Sequence, residues 1–300
     1  MKTKQYRLGG QPPAATVKNS MPTIKSLLAD ASASLATISD SPTLDAEVLL
    51  CKVLAKPRSF LRAWCDNAIS DVELQQFQQL WQQRLQGQPI AYLTGEREFW
   101  SRDFLVCPDV LIPRPDTELL IELCLNLIPD HADWPIIDLG TGSGIIAITL
   151  AAERPQLNVI AVDSSASALQ VAQANAQRHH IQNIRFHQSD WFELVPKQGF
   201  QLVISNPPYI AEDDWHLQNG DVRFEPSSAL VASGDGLNDI KTITKSAPDW
   251  LNDGGYLLIE HGYDQEFAVQ NIFKASGFQQ VQTVRDLAGQ PRVTYGKKPE

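Results

Sequence analysis

The stretch PIIDLGTGSGIIAITL, residues 135–150, decides the fold. Pro135–Leu139 is an apolar run short enough for a buried strand. The residues from Ile145 onward form an apolar helix, and Gly140, Gly142 and Gly144 make the turn between them. Outward from this unit the same alternation continues. Asn158–Val162, Ile184–His187, Gln201–Ser205 and Tyr256–Glu260 read as buried strands, and helical stretches such as Ala166–Arg178 separate them. Near-continuous apolar strands alternating with helices predict a mostly parallel, doubly wound α/β sheet of Rossmann-like form. Val281–Asp286 and Arg292–Tyr295 read as two closing strands, one of them a candidate antiparallel strand.

Upstream, the pattern changes twice. Residues 1–20 have no hydrophobic period and carry Gly-Gly and Pro-Pro, as a flexible tail would; Met21 offers a second start. From 21 to 88 the period is helical: Ile24, Leu27, Leu28 and Leu35 share one stripe, and Leu44, Val48, Leu49 and Val53 another. Ser70-Asp71-Val72-Glu73 has the form of a capping box and opens a helix with Leu74, Phe77, Trp81 and Leu85 inward. Residues 89–113 break into short extended pieces at Gly95, Pro108 and Pro113, which predicts a hairpin connector. The expected organisation is a tail (1–20), a small all-helical domain (21–88), the connector (89–113) and the sheet domain (114–300).

Composition narrows the function. With 300 residues and 43% hydrophobic content the chain can bury a large core and a small one. A net charge of −10, with 6 basic and 7 acidic residues in 21–88, argues against a surface that holds nucleic acid through its phosphates. Cys51, Cys65, Cys107 and Cys124 have no C-x-x-C spacing and read as buried thiols of a reducing compartment. The six histidines form no metal-like cluster with carboxylates, and no run is apolar enough for a signal or a membrane span. A cytoplasmic, metal-free monomer is expected.

In a doubly wound sheet, ligands sit beyond the carboxyl ends of the strands. The Gly-rich turn suits a nucleotide cofactor, but a dinucleotide fingerprint needs a third glycine at 145, where this chain has Ile145. Asp138, directly before the turn, suits a cation better than a pyrophosphate. S-adenosylmethionine carries an ammonium and a sulfonium, so Asp138-x-Gly140-x-Gly142-x-Gly144 favours that ligand. The second strand ends in Asp163, placed to accept from both ribose hydroxyls. After the third come Asp190, for an adenine amino group, and Trp191, to cover the adenine face.

The fourth strand runs into Asn206-Pro207-Pro208-Tyr209. The Asn206 side-chain carbonyl and the Pro207 main-chain carbonyl can each accept one hydrogen of a planar NH₂ group and favour the geometry in which its nitrogen attacks. Proline fixes φ, which aims the carbonyl, and Tyr209 can cover the flat face of the acceptor. No metal or covalent nucleophile is required: the methyl moves by in-line displacement. The tetrapeptide itself leaves two acceptors open, the N6 of adenine in DNA and the side-chain amide of glutamine.

The wider pattern separates them. Phe99-Trp100, Ile112-Pro-Arg114-Pro-Asp-Thr-Glu118, the tetrapeptide 206–209, Asp221-Val-Arg223-Phe-Glu225-Pro226 and Gly234-Asp-Gly-Leu237 together resemble, in order and spacing, the bacterial peptide chain release factor N5-glutamine methyltransferases, the HemK/PrmC family. The likeness runs from about Met21 to Gly296. It implies methyl transfer from S-adenosylmethionine to the glutamine amide nitrogen of the Gly-Gly-Gln loop in class I release factors, which modulates translation termination. It also implies that the helical domain and connector recognise the protein substrate. Cofactor contacts are implied at Gly140, Thr141, Gly142, Ser143, Gly144, Asp163, Trp191 and Asn206, and a grip on the glutamine at Asn206 to Tyr209. Arg114 with Glu118 would brace the site, and Arg223 with Glu225 would order a loop over it; surface ion pairs are the plainer reading of both. The alternatives are glutamine methylation of a ribosomal protein and adenine-N6 methylation of DNA. The tail contains a Gly-Gly-Gln of its own, at 9–11.

Overall fold

The computed structural model describes residues 21–300; the tail, with its Gly-Gly-Gln, lies outside the described residues. The chain divides into two compact units after Leu85.

The first unit is helical. Ile24–Leu35 buries Ile24, Leu27, Ala31 and Leu35, so the expected stripe is present with Ala31 in place of Leu28. In Pro42–Leu54 the inward face is shifted by one residue: Leu44 is exposed, while Asp45, Ala46, Leu49 and Leu50 are buried. Asp45 is tolerated inside because Arg84 Nε donates to its Oδ2 at 2.8 Å. Apolar periodicity alone misplaces a face that carries a buried ion pair. The capping box of Asp71–Leu85 forms: Ser70 N–H donates to Glu73 Oε2 at 2.8 Å, and Glu73 N–H to Ser70 Oγ at 3.3 Å.

The second unit opens with the short helix Ile90–Thr94, where extended chain was expected, followed by a hairpin, β1 (Glu96–Phe99) and β2 (Arg102–Leu105), paired antiparallel. Its two-residue turn puts Trp100 and Ser101 at φ 52° and 57°, a conformation that usually needs Gly or Asn. Carboxylates hold it. Glu118 Oε1 accepts from Trp100 N–H at 3.0 Å, and Glu98 Oε1 from Ser101 N–H at 2.6 Å. Glu118 is thus committed to the hairpin turn rather than to Arg114.

Among the described residues the main sheet has seven strands: β3 (Pro135–Leu139), β4 (Asn158–Asp163), β5 (Ile184–Gln188), β6 (Phe200–Ser205), β7 (Leu251–Glu260), β8 (Gln279–Arg285) and β9 (Pro291–Lys297). Their order is β5-β4-β3-β6-β7-β9-β8. Strands β3 to β7 pair parallel; β9 pairs antiparallel with both β7 and β8, so six strands share one direction and β9 is the reversed strand. Alternate residues enter opposite layers. Ile136, Leu202 and Leu258 pack with the helices Glu118–Leu127 and Ile145–Glu153, whereas Ile137, Val203 and Leu257 pack with Asn238–Ser246 and Glu266–Ala275. Each such side chain contributes roughly 1.5–3 kcal/mol by leaving water.

The winding reverses between the neighbours β3 and β6. That is the topological switch point, and it brings the glycine turn after β3 beside Asn206 after β6. Ser205 Oγ locks the two strand ends by donating to Leu139 O at 2.7 Å.

Candidate active site

A cavity of ≈ 250 Å³ opens at this switch point. Gly140, Thr141, Gly142 and Ser143 form one wall, Asp163, Asp190 and Trp191 another, and Asn206 with Pro208 a third. A second cavity, ≈ 280 Å³, is lined by Tyr209, Ile210, Tyr263 and Arg292. Leu111, Arg114, Asn206 and Ala229 line both.

The turn owes its shape to the backbone. Gly140, Gly142 and Gly144 have φ of 71°, 55° and 85°, the left-handed region in which a side chain is strained. A Cβ on Gly144 would also lie 2.7 Å from Ile148 Cδ1 and 3.1 Å from Ala172 Cβ, so the third glycine lets the helix pack. Gly142 N–H donates to Asp163 Oδ2 at 2.9 Å, while Asp163 Oδ1 accepts from Ser165 N–H at 2.9 Å. The backbone N–H groups of Gly142, Ser164 and Ser165 orient the carboxylate, which keeps acceptor capacity for a ligand. The Trp191 ring closes on Gly140: a Cβ there would stand 3.4 Å from Trp191 Cζ3.

Asp138 is 1% exposed and does not line the cavity. It lies beneath the turn, where Thr141 Oγ1 donates to its Oδ2 at 2.6 Å and its Oδ1 has no partner among the described residues. Burial pushes its pKa up to about 7, against the Thr141 bond, which acts to lower it. Burial raises Asp163 and Asp239 as well. The cavity therefore presents Asp109, Asp163, Asp190 and Asp239 against one basic residue, Arg114.

On the acceptor side, Asn206 Nδ2 donates to Thr117 Oγ1 at 3.3 Å. With Nδ2 so engaged, the carbonyl Oδ1 is the group left for a ligand. Pro207 is buried, and Pro208 and Tyr209 are half-buried. Tyr209 O accepts from Gln265 Nε2 at 3.0 Å, and Gly236 (φ 75°) passes so close that a Cβ would sit 2.1 Å from that oxygen. The Gly234-Asp-Gly-Leu237 turn thus abuts the tetrapeptide.

The pairing differs from both expected ion pairs. Arg114 pairs with Glu225, whose Oε2 also accepts from Ile112 N–H at 3.0 Å. Arg223 lies over the Phe224 ring, 4.8 Å from its centroid, and donates to Gln86 O at 3.4 Å. The reason is burial: the Glu225 side chain is 0% exposed, and a buried carboxylate takes the nearest cation and N–H available. Asn175, Gln265 and Glu260 escape the sequence reading. Asn175 is fully buried; its Nδ2 donates to Ser143 O at 2.9 Å and to Leu105 O at 3.0 Å, tying turn to hairpin. A lone asparagine inside an alanine-rich helix was the available signal.

The cysteines are free; only Cys124 is fully buried, the others being half-buried. Among the described residues no His, Cys, Asp or Glu group could hold a metal, and no helix is long and apolar enough to cross a membrane.

Sheet order, glycine turn and the Asn-Pro-Pro-Tyr strand end define a methyltransferase, and the methyltransferase small domain family matches residues 117–236. The PrmC N-terminal domain family matches residues 26–95. A release factor glutamine methyltransferase of Vibrio cholerae is 51% identical, covering 86% of this chain and 91% of that protein. One from Coxiella burnetii is 41% identical over 93% of this chain and all of its own length. A solved methyltransferase structure from Pyrococcus furiosus shares the fold, with a TM-score of 0.51 at 16% identity, covering 73% of this chain and 98% of that one. The chain belongs to the release factor glutamine methyltransferase family.

Proposed function

We propose that the protein transfers the methyl group of S-adenosylmethionine to the side-chain amide nitrogen of the Gly-Gly-Gln glutamine in class I release factors. The observation that carries this reading is the pair of cavities meeting at Asn206, whose Nδ2 is engaged by Thr117 and whose carbonyl is left as an acceptor.

The first cavity suits the cofactor because its lining is acidic and its glycine turn offers backbone close to Trp191. When bound, the cofactor supplies a methyl group on a positively charged sulfur. Gly140, Thr141, Gly142, Ser143 and Gly144 cradle it, Asp163 accepts from the ribose hydroxyls, and Asp190 and Trp191 receive the adenine. Asp138 acts from beneath, fixing Thr141 and adding negative charge. The second cavity admits the glutamine. Asn206 Oδ1 and the Pro207 carbonyl accept its two N–H hydrogens and stabilise the positive charge that develops on nitrogen. Pro208 shapes the wall between the cavities, and Tyr209 lies along the acceptor amide. The nitrogen proton leaves to water, so no dedicated base is needed. The helical residues 21–88 and the connector 89–113 recognise the release factor, and residues 114–300 carry the transfer.

The test is intact-mass and fragment analysis of a purified class I release factor after incubation with the protein and cofactor. A gain of about 14 Da, one CH₂, on the Gly-Gly-Gln glutamine is expected, since only a productive transfer produces it. No gain, with cofactor binding confirmed by calorimetry, would redirect the acceptor to a ribosomal protein.

A further inference from the structure

The Asn206 amide has two orientations that differ only by exchange of oxygen and nitrogen, and the acceptor needs the oxygen. What selects between them lies behind the tetrapeptide. Thr117, 0% exposed, accepts from Asn206 Nδ2, so its own hydrogen must go elsewhere. Glu260, at the end of β7 and 1% exposed, faces the Thr117 hydroxyl and is the group that can take it. Its Oε1 receives the Tyr209 hydroxyl at 3.5 Å, and its Oε2 has no partner among the described residues. A buried carboxyl oxygen without a partner beside a hydroxyl that must donate is a costly omission unless the two are coupled.

We propose that Glu260 is a positioning residue for the acceptor amide. As a carboxylate it can only accept, which makes Thr117 and Tyr209 its donors and leaves the Thr117 oxygen to receive Asn206 Nδ2. Protonated, it can donate to Thr117 instead. The Thr117 hydrogen is then free to turn to Asn206, the amide is no longer held in one orientation, and the grip on the acceptor loosens. The inference rests on the assignment of Asn206 as the acceptor grip.

The charged and titratable groups facing Glu260 are Arg292 from β9, Asp116 from the 115–117 turn and Tyr209. Burial raises its pKa to about 7; Thr117, Arg292 and Tyr209 oppose the rise and Asp116 adds to it. Asp116 is itself paired with Arg292 at 3.1 Å, a guanidinium it shares with Asp286 at 3.3 Å.

The test reads the amide directly and needs no acceptor protein. The side-chain amide ¹⁵N–¹H signals of Asn206 are followed in the full chain between about pH 5 and 9, in wild type, Glu260→Gln and Thr117→Ser. In wild type the signals should move with a midpoint at about 7. Thr117→Ser, which keeps the hydroxyl, should preserve the titration, and Glu260→Gln should abolish it. Single-turnover methyl transfer to a release factor, at cofactor concentrations that saturate the protein across the pH range, should follow the same profile: lower turnover at acid pH in wild type, and loss of that inflection in Glu260→Gln. An Asn206 signal that does not titrate in wild type, or titrates identically in Glu260→Gln, would overturn the inference. Absence of transfer with an intact amide titration would instead count against the proposed acceptor.

Discussion

The two cavities that share Asn206 are built by different means. On the cofactor side the contacts are local: Gly142 reaches Asp163 and Ser165 reaches back to the same carboxylate, spans of 21 and 2 residues. Shape there is set by glycine backbones. On the acceptor side the contacts are remote: Asn206 to Thr117 spans 89 residues, Arg114 to Glu225 111, and Gln265 to Tyr209 56. The hydrogen bonds that orient Asp163 and the glycine turn join residues at most 21 apart, whereas those that orient the acceptor pocket form only once distant segments have packed. Damage to the first should therefore appear as lost cofactor affinity, and damage to the second as lost turnover.

The largest departure should come at the shared residue. Asn206→Ala should lower the transfer rate by roughly 10²- to 10³-fold while leaving cofactor affinity within about tenfold, because the lost acceptor is aimed at charge present only in the transition state. Single-turnover kinetics beside calorimetry would separate the two quantities. Gly236→Ala should follow, since its methyl cannot coexist with the Tyr209 carbonyl 2.1 Å away and the tetrapeptide must shift. Displacement of this kind costs up to about 10²-fold in turnover, again with the cofactor bound nearly as before.

Glu225→Ala probes the long-range ties through stability. It removes the partner of Arg114 and of Ile112 N–H. Arg114 is 31% exposed and can rehydrate, so the loss should be about 1–3 kcal/mol in a denaturant titration rather than that of a fully buried pair. The smallest effect concerns Asp138, whose pKa burial raises to about 7. A cationic ligand favours the ionised carboxylate, so cofactor affinity should rise as pH increases through that value and fall below it. Asp138→Asn should flatten the dependence, which calorimetry at pH values on either side of 7 would show.

Local construction also explains what is legible in the sequence. Strands β3 to β6, the glycine turn and the tetrapeptide are each carried by a few consecutive residues, and their expected bounds agree with the structure to within one residue. Strand β7 begins earlier than Tyr256, at Leu251, because its first part carries Asn252, Asp253 and two glycines that hide the strand pattern. Leu44 faces outward because Asp45 has a buried cation partner 39 residues away, which no periodicity reveals. The pairing of Arg114 with Glu225 was hidden for the same reason, although both residues stood in motifs that drew attention. Thr117 stood in such a motif too, but its link to Asn206 needs the sheet to close first. Glu260 read only as the last residue of a strand.

The division between the two sides can be tested through one aromatic residue. Trp191→Ala removes the ring that closes on the glycine turn and lines the first cavity but not the second. Titration of S-adenosylmethionine, and separately of a class I release factor, into this variant should show cofactor affinity reduced by about 10- to 100-fold, the range for loss of one base-stacking ring, with release factor affinity within about twofold. Equal losses of both affinities would contradict a site built as two separately constructed cavities joined at Asn206.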